Sequence, residues 1–167
     1  IIQPIDDVVE ITKKFGCLVH CDAAQALGKI KINLEEIELD FLTLSGHKIG
    51  APTGIGALIY DDKIDLTPQI LGGGQEKGMR AGTENILGIR GFGEAAKFNI
   101  NATENNCSKV KSLRDYFQEK IKTLSPETFF FGEKVNRVAN TILMALPKVS
   151  GDLALMKLDL ESFSVSS

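Results

Sequence analysis

Three short apolar runs constrain the fold of this chain more than any other feature: Cys17 to Cys21, Phe41 to Leu44 and Ile55 to Tyr60. Each is sized for a buried strand and too short for a buried helix. Ahead of them, Asp6 and Asp7 precede Val8, Val9, Ile11 and Phe15 at helical spacing, and Gly16 is the natural stop of that helix. Between the first two runs, Asn33 to Glu38 (NLEEIE) reads as a capped helical turn. The order helix, strand, helix, strand, strand predicts an α/β sheet.

Beyond the third run the pattern changes. Gly72, Gly73, Gly74, Gly78 and Gly82 crowd the stretch from Thr67 to Gly82, with Gly88 one turn further on. So much glycine is unsuited to an element interior, and the stretch is expected to be an irregular loop. Thr83, Glu84 and Asn85 then open an apolar-periodic segment to about Phe98, and Ser108 to Leu124 reads as a second long helix with Val110, Leu113, Phe117 and Ile121 on one face. Strands are expected at Thr128 to Phe131, Asn140 to Leu146 and Phe163 to Val165, with a short helix at Asp152 to Lys157. The division predicted is one domain over residues 1–100 and the start of a smaller α+β domain over residues 101–167.

Composition narrows the function classes. Nineteen Lys and Arg against 22 Asp and Glu leave a formal charge of −3, so there is no basic excess to hold nucleic acid or an anionic membrane. The apolar runs fall far short of the roughly 20 residues a transmembrane helix needs. Three cysteines, Cys17, Cys21 and Cys107, are an odd number with no disulfide framework, which points to a reducing, cytoplasmic setting.

The chemistry is concentrated where the predicted strands end. Asp22 and Gln25 follow the first strand; Ser45, Gly46, His47 and Lys48 follow the second. Ligands of open α/β sheets bind at the carboxyl ends of strands, so these groups could converge on one small molecule. A carboxylate, a hydroxyl, an imidazole and an amine suit a phosphorylated, nitrogen-containing ligand and offer an amine for covalent attachment. Each alone has an ordinary reading: Asp22 as a turn former, Lys48 as a solvated charge, His47 as a surface histidine, the triple glycine as a flexible loop. Rival chemistries fail on spacing. No glycine cluster is followed by the Lys-Ser or Lys-Thr of a P-loop or forms a dinucleotide fingerprint, no second pair completes a metal site around Cys17, His20 and Cys21, and no G-x-S-x-G elbow is present.

Three segments together carry a specific resemblance. His20-Cys21-Asp22-Ala23-Ala24-Gln25, then Ser45-Gly46-His47-Lys48, then Gly72 to Asn85 (GGGQEKGMRAGTEN) resemble, in order and spacing, the middle of a cysteine desulfurase of the NifS and IscS type. These are pyridoxal-phosphate enzymes of the class V aminotransferase group, with a fold-type I large domain followed by a smaller α+β domain. Thr53 departs from the lysine common in that turn. The resemblance implies that Lys48 carries pyridoxal 5'-phosphate as a Schiff base and moves protons at the substrate α-carbon. It implies that Asp22 pairs with the pyridinium nitrogen, that Gln25 bonds the phenolic oxygen, and that Ser45 and His47 bind the phosphate. Thr83 resembles the residue that reaches the phosphate of a neighbouring subunit's cofactor, implying a homodimer. His20 matches the motif without an implied role.

The resemblance also implies segments that this sequence does not contain: an upstream aromatic wall for the pyridine ring, a nucleophilic cysteine following a serine-rich strand like Phe163 to Ser167, and a downstream arginine for the substrate carboxylate. The expectation is an internal fragment, inactive alone, of a protein that takes sulfur from L-cysteine, leaves L-alanine, and passes a persulfide to an iron-sulfur scaffold protein or another acceptor such as thiolated tRNA. An open reading frame with native ends at Ile1 and Ser167 would sink that expectation. Another class V enzyme, an aminotransferase or selenocysteine lyase, and a non-catalytic dimerising or scaffold-docking remnant are the alternatives.

Overall fold

A computed structural model of the chain describes residues 1 to 166. These form two compact units: Gln3–Cys107, and Ile1–Ile2 with the residues from Ser108 onward. The boundary expected between residues 100 and 101 falls inside a helix that belongs to the first unit as far as Cys107.

In the first unit, α1 (Ile5–Lys13) carries Asp6 and Asp7 in its first turn, where carboxylates favour the positive end of the helix dipole. It ends as the sequence predicts. Gly16 takes a left-handed φ of 63°, the Gly16 N–H reaches Lys13 O and the Cys17 N–H reaches Thr12 O, a paired closure that satisfies carbonyls the helix leaves open. The sheet consists of β1 (His20–Asp22), β2 (Phe41–Ser45) and β3 (Gly56–Tyr60) in that order, β1 parallel and β3 antiparallel to β2. Strand β1 starts three residues later than the apolar run suggests. The Asp40 carboxylate takes the Val19 N–H at 2.6 Å, so a side chain replaces a ladder partner just before the pairing begins. Asn33 to Glu38 forms a single turn, in which Asn33 Oδ1 accepts the Glu35 N–H and the Asn33 carbonyl accepts that of Ile37.

Register gives the sheet two different faces. Leu42 and Leu44 are buried with Ala23, and Cys21, Ala57, Leu27 and Phe92 pack against them. The opposite face carries His20, Asp22, Phe41, Thr43, Ser45 and Tyr60, with the rings of His20 and Phe41 edge to face and those of Phe41 and Tyr60 stacked. One face is thus core; the other is polar and aromatic.

The two long helices expected from the sequence are one, α2 (Ile86–Leu124), of 39 residues. The polar stretch between them stays helical because it contains neither Gly nor Pro and because its side chains bond back into the helix. Asn99 Nδ2 donates to Ala95 O at 2.8 Å and Thr103 Oγ1 to Asn99 O at 2.6 Å.

In the second unit the expected strands shrink to β4 (Phe129–Phe130) and β5 (Met144–Ala145), paired antiparallel, with Phe130 buried. Helix α3 (Gly151–Leu160) runs longer than predicted. The strand expected at Phe163 to Val165 is absent. Phe163 and the residue before it close α3 instead: Ser162 adopts φ 65°, its N–H reaches Asp159 O, and the Phe163 N–H reaches Leu158 O. Ser167 lies outside the described residues. No helix among those described is long and apolar enough to cross a membrane.

Candidate active site

Five of the six predicted site residues, Asp22, Gln25, Ser45, His47 and Lys48, stand at or just after the ends of β1 and β2. Because the two strands are parallel and Asp22 pairs with Thr43, both chains leave the sheet at the same edge. Ser45 lies two residues beyond Thr43 on the same face, about 7 Å further along the strand. Asp22 is the last residue of β1 rather than the first after it. Its Oδ1 accepts the Ala24 N–H at 3.0 Å, which turns the chain away from the sheet and leaves the carboxylate's remaining lone pairs for another partner.

Lys48 stands in a short 3-10 turn, Gly46–Ile49, directly after β2. The turn is held by the Gly46 N–H on Ile55 O at 3.0 Å and by the Ala51 N–H on Gly46 O at 3.1 Å. Gly46 has to be this small: a Cβ there would come within 2.7 Å of Ile55 Cγ2 and 2.9 Å of the Ile55 carbonyl. Packed that way, the turn buries Gly46 and Ile49 and leaves His47 and Lys48 exposed. Ser45 Oγ and His47 Nδ1 are 3.0 Å apart, so the hydroxyl and imidazole expected to share one ligand group are already hydrogen-bonded to each other.

Gln25 is exposed in the turns after β1, where its Oε1 accepts the ammonium of Lys29. Lysine is only a donor, so this bond fixes the amide's orientation and points its NH₂ group away from the lysine. Burial pushes the Lys29 ammonium below its ordinary pKa, and the charge of Lys48 pushes it further in the same direction. Sequence reasoning passed over Lys29, although its spacing of four residues from Gln25 is the available signal.

His20 also finds a place. Its Nε2 lies 2.6 Å from Thr43 Oγ1, linking β1 to β2 on the site face. Thr43 was not among the expected site residues, and only the strand register reveals it. Thr83 stands apart: it is exposed in the segment before α2 and makes no hydrogen bond to Asp22, Gln25, Ser45, His47 or Lys48 among the described residues. Cys21 lies on the core face, where burial first and the Asp22 charge second push its thiol pKa up. No cluster of three or more His, Cys, Asp or Glu suited to a metal ion occurs among the described residues.

Comparison with known proteins identifies the family. The cysteine desulfurase IscS of Dictyoglomus turgidum is 36% identical over 166 residues, covering 99% of this chain and 42% of its own length. That of Ehrlichia chaffeensis is 39% identical over 170 residues, covering all of this chain and 41% of its own. The X-ray structure of a NifS-like protein from Rickettsia africae superposes with a TM-score of 0.95 at 40% identity, covering 100% of this chain and 46% of that one. This chain thus spans less than half the length of these relatives, and its α/β fold is that of the NifS-like structures. The family model for class V aminotransferases matches residues 1 to 167, and the chain belongs to that family.

Proposed function

We propose that the chain is the lysine-bearing part of a cysteine desulfurase that uses pyridoxal 5'-phosphate. The observation that carries this reading is the placement of Lys48 and Asp22 at the ends of adjacent parallel strands, with the Ser45–His47 pair beside the lysine. An amine, a carboxylate acceptor, a hydroxyl–imidazole pair and an oriented amide on one sheet edge match the functional groups of that cofactor one by one.

When bound, pyridoxal phosphate supplies an electron sink for the bonds at the substrate's α-carbon. Lys48 Nζ would be the amine that holds the cofactor covalently and the base that would move a proton at the α-carbon. Asp22 keeps a proton on the pyridinium nitrogen through a charge-assisted hydrogen bond. Gln25, with Oε1 occupied by Lys29, would offer its NH₂ group to the phenolic oxygen. Ser45 and His47 donate to the phosphate, and Thr83 reaches the phosphate bound by a partner subunit in a homodimer.

The substrate is L-cysteine, whose sulfur passes to a cysteine thiolate and leaves L-alanine; an iron-sulfur scaffold protein or another acceptor takes the persulfide onward. None of the three thiols here suits that role. Cys107 Sγ is hydrogen-bonded to Lys29 O at 3.0 Å, Cys21 is on the core face, and Cys17 precedes β1, at the end of that strand opposite Asp22. Free thiols at all three fit a reducing cytoplasm. The activity is assigned to a protein of the relatives' full length.

Absorption spectroscopy tests the reading. The full-length protein given pyridoxal phosphate should show a visible band that Lys48→Ala abolishes, and should release alanine and sulfide from L-cysteine with a reductant. A colourless wild-type protein would overturn the cofactor assignment. A coloured protein that turns over other amino acids but not cysteine would overturn the substrate.

A further inference from the structure

We propose that Asn99 is a positioning residue that sets where Lys48 and Lys29 stand. Its side chain reaches from α2 to the residues adjoining both lysines, which sit on loops from different strands. One N–H of the Asn99 amide donates to Ala95 O within α2 at 2.8 Å, and the other crosses to Ile49 O, next to Lys48, at 3.0 Å. Both of its donors are thereby used. On its other side the amide lies against Gly28, next to Lys29, so closely that a Cβ on Gly28 would be 2.7 Å from Asn99 Oδ1. Gly28 has a φ of 74°, a left-handed conformation natural to glycine, and its missing side chain is what lets the helix residue approach.

A second contact on the same stripe of α2 supports the clamp. Cys107, eight residues beyond Asn99, points its thiol at Lys29 O, and Phe92, seven residues before it, packs against the core under β1 and β2. The helix thus tethers the Gln25–Lys29 loop at two points and the Lys48 turn at one. Other side chains fit the position less well. Leucine matches the size without donors, aspartate matches the shape but sets an anion against two carbonyls, and glutamine adds a methylene where Gly28 already touches.

The functional consequence rests on Lys48 being the cofactor-bearing residue; the clamp itself does not. Asn99→Asp keeps the shape and removes both donors, and Asn99→Ser, which keeps only a bond back to Ala95, serves if the first variant does not fold. Amide hydrogen exchange in the full-length protein without cofactor is the direct measurement. The Gly50 and Ala51 amides, both bonded to Gly46 O, should exchange about three- to tenfold faster in the variant, the range expected for one lost hydrogen bond, while β1 to β3 keep their protection. With cofactor, the apparent affinity for pyridoxal phosphate should fall by a similar factor while the visible band keeps its position. Unchanged exchange at Gly50 and Ala51, or an equal loss across the whole unit, would overturn the proposal. A wild-type protein with no band would sink the cofactor reading and leave the exchange test standing.

Discussion

The ammonium of Lys29 is bonded to the side-chain carbonyl of Gln25 four residues earlier, and its charge lies close enough to Lys48 for the two to repel. Burial is the larger reason that Lys29 holds its proton weakly, and Lys48 is the second. Lys29 should therefore lose its proton at lower pH than an ordinary lysine. In Lys48→Ala its titration should move partway back up, because the burial remains. Side-chain nitrogen NMR across alkaline pH measures both. The sign carries over to stability: with its folded pKa below the unfolded value, Lys29 binds fewer protons in the native state, so its contribution rises with pH through that window. A Lys29 resonance titrating as an ordinary lysine does would refute this account.

Cys21 and Cys17 differ in reactivity for physical reasons. Cys17 is exposed, whereas Cys21 is half-buried on the core side of β1, with its pKa raised by burial and by the Asp22 carboxylate. Only the thiolate reacts, so a maleimide at neutral pH should modify Cys17 well before Cys21. Asp22→Asn should speed Cys21 slightly by removing the smaller cause. Mass spectrometry of timed digests reads the order, and equal rates would contradict the burial of β1.

Helix α3 is closed by a residue poorly suited to the task. Ser162 occupies the left-handed position at φ 65° where glycine is usual. Ser162→Gly should stabilise the protein by about 0.5 kcal/mol, the relief of roughly 1 kcal/mol of strain less the backbone freedom glycine adds. Ser162→Val should act in the opposite direction. Urea midpoints of the two variants should bracket the wild type.

How much of this was legible beforehand depended on where the determining contacts lie in the sequence. The strands and the polar groups at their ends could be read because short apolar runs bounded by Asp22 and Ser45 encode both element and edge. Gly16 was legible for the same local reason. The unbroken α2 was not, because Asn99, Asn101 and Thr103 have weak helix propensity, and Asn99 and Thr103 are reconciled with a helix by their side-chain bonds to residues four back. Asn99 and Thr43 as site neighbours were beyond reach, since their partners, Ile49 and His20, lie 50 and 23 residues away. The expected strand at Phe163 failed because Phe163, with Ser162 before it, closes α3, a competition that periodicity does not weigh.

Gly46→Ala tests whether the Lys48 turn depends on its packing or only on its chemistry. The substitution changes no ionisable group, and Lys48, His47 and Ser45 all remain. Yet the new Cβ would meet Ile55 Cγ2 at 2.7 Å and the Ile55 carbonyl oxygen at 2.9 Å, with Ala51 Cβ at 3.2 Å. The isoleucine methyl can rotate away. The carbonyl cannot move without breaking its own bond from the Gly46 N–H, the first link of the turn. The expected cost is about 2 kcal/mol, the middle of the range for overpacked sites, read as a lowered urea midpoint. Cofactor loading should fall with it although the attaching amine is intact, because the turn that aims the amine has been pushed off Ile55. Ile55→Ala, which removes the methyl but not the carbonyl, should restore only part of the stability in the double variant. Full restoration would mean that the side chain alone sets the fit, and that the backbone hydrogen bond does not position Lys48.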